Sequence, residues 1–430
     1  MSAAIMLGGT SCVVADPTPM TPEKAGQYFA ELKAATDADN GQLWGVNLYG
    51  PTLLVDTDNH TVIANLPDAD GRLVAQDGVY VGTIGEETNI SNTSAVWSGT
   101  HWAMIKWNAI NENDRYDRVR LLVHESWHRI QDEIGIPGTL TANVHLDNPE
   151  GRLWMLLEFR ALRQALLAAN QGAQRQAIAA ALVLREERQA LFPDNNENAF
   201  ERHEGMAEYT GLKLCGLPDS LLRKIVAKKM ELAEQSEGLA NSFAYLTGPA
   251  YGLLLDTYYD TWPSEVRAGN DLPGLMMDVI ELKLPAGADE RETRAEDAAK
   301  KYGIDELRIA QKATAEIQKR TVDTFRHRLE THGRLVIPND NLQFNFNPME
   351  KLVPFDSTGV IYKTMRLTGA FGVLEVSDGI LRANNWQFFM VTAPDDINAN
   401  PLTGEGYTLS LNPGWQVHAE QTGWYSIQKK

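Results

Sequence analysis

Residues 114–135 read DRYDRVRLLVHESWHRIQDEIG. The helical pattern begins near Asn113, Gly135 is a stop and Pro137 lies just beyond. The spacing therefore predicts one helix from near Asn113 to Ile134. Val119, Leu122, Val123 and Ile130 give that helix an apolar side. At 3.6 residues per turn, His124 and His128 share a face and can hold one metal ion between them. Glu125, offset by one residue, is placed to take a proton from water beside such an ion rather than to bind the ion itself. Imidazole nitrogens suit Zn2+, and a catalytic zinc site adds a third protein ligand and keeps one position open.

The third ligand is sought downstream. Glu204-Gly205-Met206-Ala207-Glu208-Tyr209 falls in a helical pattern, and the small Gly205 and Ala207 would let this helix press against the one carrying His124. His203, Glu201, Glu208 and Glu158 compete with Glu204 for the role, each with a salt-bridging or surface role as its plainer reading. The pair HExxH and EGxAxY resembles the gluzincin branch of the zincin metallopeptidases. That resemblance implies Glu204 as third ligand, because in aminopeptidase-like members the ligating Glu immediately precedes the Gly. Membrane-embedded members carry an acidic residue in the place of Glu208, which implies that it accepts from a ligating histidine and fixes its tautomer. The GxMEN signature of aminopeptidases is absent, so aminopeptidase activity is not implied. The long gap from His128 to Glu204 implies an inserted helical hairpin over residues 150–195. Tyr245-Leu246-Thr247-Gly248 resembles the YxxG helix of some members. Tyr245 or Tyr251, two turns later, is then a candidate donor to the oxyanion of a tetrahedral intermediate, with a core tyrosine as the plainer reading. His145, His101 and His203 are weaker candidates for that donor.

Around this centre the chain reads as α+β. Residues 1–20 look like a leader, with AAIMLGGTSCVVA (3–15) resembling a signal-peptide core, although no Lys or Arg precedes it. An ordinary strand or tail is the alternative there, and Cys12 reads as a bystander thiol rather than a lipid anchor. A secreted or cell-envelope location follows from the first reading, a cytoplasmic one from the second. Residues 21–110 give a helix capped by Thr21 and then short strands, LWGVNLYG (43–50) among them. WSGTHWAMIKW (97–107) is the expected edge strand, against which an extended peptide would add as one more strand.

Residues 111–284 are helical, with a pair of helices over 153–191 hinged near Gly172, then helices over 198–214, 219–237 (Asp219 as cap) and 244–261. Residues 285–337 form a charged helical connector broken at Gly303, and 338–430 a sandwich-like all-β domain, an accessory module or a cap. GVIYKTMRLTG (359–369) reads there as one strand. Trp386, Trp415 and Trp424 invite a sugar-platform reading against the plainer one of core packing. Asn59, Asn89 and Asn92 lie in glycosylation sequons, which matter only for a protein secreted from a eukaryote.

Composition narrows the function. A net charge of −18 argues against nucleic acid, which needs clustered Lys and Arg, and no apolar run is long enough for a transmembrane helix. Two cysteines exclude a disulfide framework or a CxxC metal site, leaving His and carboxylate as ligands. A zinc-dependent peptidase acting on peptide or protein substrates is the leading expectation. The alternatives are a binding or envelope scaffold with a structural or vestigial zinc, closed by four protein ligands, and a zinc hydrolase of a non-peptide bond. Oligomeric state is not legible in the sequence.

Overall fold

The computed structural model describes residues 19–85, 88–139 and 142–430. The leader-like residues 3–15 and Cys12 lie outside that range. Thr21 caps α1 (Pro22–Asp39) as expected, its hydroxyl accepting from the Lys24 N–H. Six strands follow: β1 (Thr52–Val55), β2 (Thr61–Ala64), β3 (Val74–Gln76), β4 (Val79–Thr83), β5 (Thr93–Trp97) and β6 (Thr100–Lys106). They form one sheet in the order β3-β4-β2-β1-β6-β5, with only the β1–β6 pair parallel.

Two expectations need correction here. Segment 97–107 is not an edge strand, because β6 lies inside the sheet between β1 and β5. The edge is its hairpin partner β5, reached through Ser98-Gly99 with φ of 47° and 69°, the twist a two-residue hairpin favours. Residues 43–50 form no strand. Gly41 and Gly45 turn the chain with positive φ, and the buried Trp44 indole donates to Thr210 Oγ1 at 2.8 Å.

The helical part comprises α2 (Arg115–Ile130), α3 (Pro149–Leu166), α4 (Gln171–Leu191), α5 (Glu197–Phe200), α6 (Met206–Leu214), α7 (Asp219–Ala233), α8 (Ala244–Leu255), α9 (Trp262–Ala268) and α10 (Leu272–Ile280). Helices α3 and α4 pack as a hairpin, but the break falls at 167–170, where Asn170 caps α4; Gly172 lies in its first turn. Pro218, not Asp219, occupies the cap position of α7. Leu54, Ile63 and Ile105 on one sheet face join Val123 and Trp127 of α2 in the main apolar core. Leu53, Val55, Trp102 and Met104 pack on the opposite face, as the two-residue period of a strand requires.

Two connector helices, α11 (Ala288–Lys301) and α12 (Ile304–His332), meet at Gly303, whose φ of 79° suits the expected break. The C-terminal strands are β7 (Arg334–Pro338), β8 (Gln343–Asn345), β9 (Val353–Phe355), β10 (Gly359–Tyr362), β11 (Met365–Gly369), β12 (Gly372–Val376), β13 (Ile380–Ala383), β14 (Phe388–Thr392), β15 (Leu402–Gly404), β16 (Tyr407–Leu411), β17 (Trp415–Gln421) and β18 (Trp424–Lys429). One sheet runs β17-β18-β7-β14-β13-β10-β9 and the other β15-β16-β12-β11-β8. Leu335, Phe389 and Val391 of the first meet Leu367, Leu374 and Leu409 of the second in a sandwich core. Segment 359–369 is two strands, β10 and β11, assigned to different sheets. Phe325 of α12 packs on the outer face of the larger sheet against Phe355, Ile361 and Leu381. Among the described residues, no helix is long and apolar enough to cross a membrane.

Candidate metal centre

Asp114 caps α2 by accepting from the Tyr116 and Asp117 N–H groups, and the helix runs fully buried through His124, Glu125 and Trp127. His124 and His128 present their Nε2 atoms to one point, 3.1 Å apart. Glu204 reaches the same point from a five-residue π turn, Glu201–Gly205, between α5 and α6. Its Oε2 lies 3.7 Å from His124 Nε2 and 3.4 Å from His128 Nε2. These three buried groups could hold a metal ion. Among the described residues they form the one such group.

The π turn is a feature that helix periodicity did not foretell. The wider turn sends Glu201 to Arg185, at 2.7 and 2.9 Å, while Glu204 faces the histidines. Gly205 also has a different neighbour from the one expected. It abuts Gly248 of α8, where a Cβ on Gly248 would sit 2.4 Å from Gly205 Cα. The close approach to α2 is made instead by Gly211, whose Cβ would sit 2.5 Å from the Arg120 carbonyl oxygen. Gly248→Ala must therefore push α8 away from the turn that carries Glu204. We expect about 1–3 kcal/mol of destabilisation and weaker metal retention, read by thermal melting and by metal competition.

The far nitrogens of both imidazoles are held. His124 Nδ1 lies 3.3 Å from Glu208 Oε2, and His128 Nδ1 lies 2.8 Å from Gln131 Oε1. An acceptor at Nδ1 keeps the proton there and leaves the Nε2 lone pair for a metal. Glu208 is itself clamped by Arg120 Nη1 at 2.7 Å and Lys229 Nζ at 3.1 Å. Burial would raise its pKa, but these two cations hold the carboxyl well below the usual range. For His124, burial pulls the pKa down, yet hydrogen bonds to Glu204 and Glu208 outweigh it and push it up to about 9. The site's field thus favours positive charge where a cation would sit. Glu208→Ala should cost about 10–100-fold in metal affinity, and Glu204→Ala more; a competition assay that ranks them in reverse would move the ligand one turn.

Tyr245 stacks on His124, with centroids 5.7 Å apart and planes within 2°, and its hydroxyl donates to Glu204 Oε2 at 2.6 Å. Burial, followed by the Glu204 charge, raises its pKa well above the ordinary phenol, so it stays a donor. Tyr251 is placed elsewhere: its hydroxyl donates to Glu158 at 2.7 Å inside a buried Arg–Glu cluster. The rival ligands Glu158 and Glu201 belong to that cluster, and His145 binds its Glu197 at 2.7 Å. His101 is exposed on β6. His203 stands beside the triad, its ring centroid 5.0 Å from that of His128, and burial lowers its pKa to about 4.

A cleft of about 510 Å³ opens onto His128, Glu204 and Tyr245. Thr93 and Ser94 of edge strand β5 form one side. Phe344, Phe346, Tyr362 and Trp386 of the C-terminal domain form another, so this domain is part of the cleft wall. Asn345 Nδ2 donates to Asn89 Oδ1 at 2.7 Å, joining the two sides. Trp415 and Trp424 are not in this wall; they lie against the cations of Lys429 and Arg334. Sequence reasoning missed Gln131, Arg120 and Lys229. The first two had a usable signal, since Gln131 is three residues after His128 and Arg120 four before His124 on one helix.

No family model matches the chain, and no curated protein or solved structure matches it either.

Proposed function

We propose that this protein is a zinc-dependent peptidase with His124, His128 and Glu204 as ligands. The observation that carries the reading is the spacing of the three donor atoms, 3.1, 3.4 and 3.7 Å. Zinc bonds of about 2.0–2.1 Å in a tetrahedron set neighbouring ligand atoms about 3.3–3.4 Å apart. Two imidazoles and one carboxylate leave the fourth position to water or substrate, whereas a structural site is closed by four protein ligands. When bound, zinc polarises a carbonyl oxygen and lowers the pKa of water.

The chain's own groups supply the rest. Glu125 follows His124 directly and its charge acts on both His124 and Tyr245, which supports reading its carboxylate as the base. It accepts the proton of the attacking water and returns it to the leaving amine. Tyr245 donates to the oxygen that gains charge, exchanging Glu204 for that acceptor. A peptide is favoured over other substrates because β5 is a sheet edge beside the ligands, where an extended backbone can pair. The aromatic wall opposite suits a bulky apolar side chain.

The test is to incubate the full chain, loaded with zinc, with a mixture of random peptides and sequence the products. Cleavage that stops on chelation and returns with zinc is expected. A chain that takes up no zinc, or that cuts no peptide when loaded, overturns the proposal.

A further inference from the structure

A second cleft, of about 760 Å³, lies between α12, the turn after α7 and strands β9 and β10 of the C-terminal domain. It shares no lining residue with the cleft at the metal ligands. Arg152 of α3 and Lys351 both line it. Arg152 is 5% exposed, and one of its nitrogens, Nη2, donates to the Ser236 carbonyl at 2.6 Å. The other, Nη1, is buried with no hydrogen-bond partner. Among the described residues, neither Arg152 nor Lys351 has a carboxylate in salt-bridge range.

The nearest acid does not serve them. Asp147 acts on both cations through its charge, but its oxygens accept from three backbone N–H groups, those of Leu239, Ala240 and Leu352, at 2.6–3.2 Å. Burial lowers the Lys351 pKa, and the neighbouring Arg152 charge lowers it further, to about 8. Asp147 and Glu237 act on these cations only through space, and two half-buried or buried cations close together with no carboxylate paired directly to either leave room for an anion to join them. That arrangement stands out in a chain whose net charge is −18. The same cleft has an apolar part, with Phe325, Val353 and Ile361 all buried, and on α12 the Gln311 amide oxygen is buried without a partner. Of the acids in its lining, Glu234 and Asp378 are paired with Arg163 and Arg328, and Glu350 accepts from Thr364.

We infer that this cleft binds a small organic oxyanion, its carboxylate or phosphate head on Arg152 Nη1 and Lys351 Nζ and its apolar body on Phe325, Val353 and Ile361. The guanidinium supplies a directed donor and the ammonium a mobile one. The volume lies within the range of clefts that enclose small ligands. This assignment is independent of the peptidase reading, because none of its residues belongs to that site.

Isothermal titration of the zinc-loaded full chain tests it, with phenyl phosphate, phenylacetate, benzyl alcohol and inorganic phosphate as probes. One aryl anion or both should saturate a single site; the tighter of the two shows whether the head is phosphate or carboxylate. Benzyl alcohol and inorganic phosphate should each bind at least about tenfold more weakly than that anion, lacking either the head or the body. Lys351→Met should weaken the aryl anion about tenfold or more, while Lys351→Arg keeps most of the binding. Lys351 is partly exposed, so both variants should fold, which their melting curves will show. Saturation by neither aryl anion overturns the inference. So does binding that Lys351→Met leaves intact, or binding that chelation of zinc abolishes, since either result puts the anion elsewhere.

Discussion

Glu125→Gln and wild type are both expected to hold about one zinc per chain, and the variant to lose roughly 10²–10⁴ of its kcat/KM on any peptide the wild type cuts. That is about 3–5 kcal/mol of transition-state stabilisation. The reasoning rests on separating two jobs along one helix. The groups that could hold the ion are His124, His128 and Glu204, so replacing the side chain between the histidines removes none of them. Gln matches Glu in shape, which matters because Glu125 is fully buried in α2. What the amide cannot do is accept and return a proton. Its loss also removes one negative charge that acts on His124, so a modest weakening of zinc affinity is consistent with the proposal. Metal analysis beside peptide kinetics reads both quantities on the same sample. Undiminished cleavage by Glu125→Gln would sink the assignment of this residue as base.

The parts of this arrangement that were legible in the sequence are those carried by one element. His124 and His128 share a face because of helix periodicity alone, and Gly303 marks a helix break by its own chemistry, whereas α2 ends at Ile130, four residues short of the expected Ile134, with residues 131–135 in turns before Gly135. Glu204 required more, since its approach depends on a π turn and on Gly205 meeting Gly248 of another helix. No local pattern encodes that pairing; only the EGxAxY resemblance pointed to it. Segments 43–50 and 97–107 were misplaced for a related reason. Apolar alternation tells that a strand-like stretch is half-buried, but not whether it ends under helices, inside a sheet or at its edge. The aromatic wall lay beyond reach altogether, because Phe344, Phe346, Tyr362 and Trp386 come to the ligands only through the packing of a domain far along the chain.

Arg188→Met should produce the largest loss of stability, about 3–5 kcal/mol, against the 5–15 kcal/mol that holds a typical domain folded. Arg188 donates to Glu197 at 2.6 Å and forms an ion pair with Glu158 at 2.6 Å, and Arg185 donates to Glu201, Glu158 and Asn198. All five charged side chains are at most 2% exposed. Removing one guanidinium leaves three carboxylates facing one cation without water, the circumstance in which a broken buried pair is most costly. Adding Glu197→Gln to Arg188→Met should recover part of the loss, because the uncompensated charge goes with it. Acid should act in the same direction. Burial would raise the Glu197 pKa, but Arg188 and Arg185 outweigh it and hold it well below the usual range. Its contribution is therefore present above the unfolded value near pH 4.3 and is lost as pH falls toward the folded one. Because Glu201 sits in the π turn with Glu204, Arg188→Met should also loosen zinc before the chain melts. Urea melts of the single and double variants, with zinc competition alongside, separate these effects. A single variant as stable as wild type would mean that the cluster carries no uncompensated charge when Arg188 is gone.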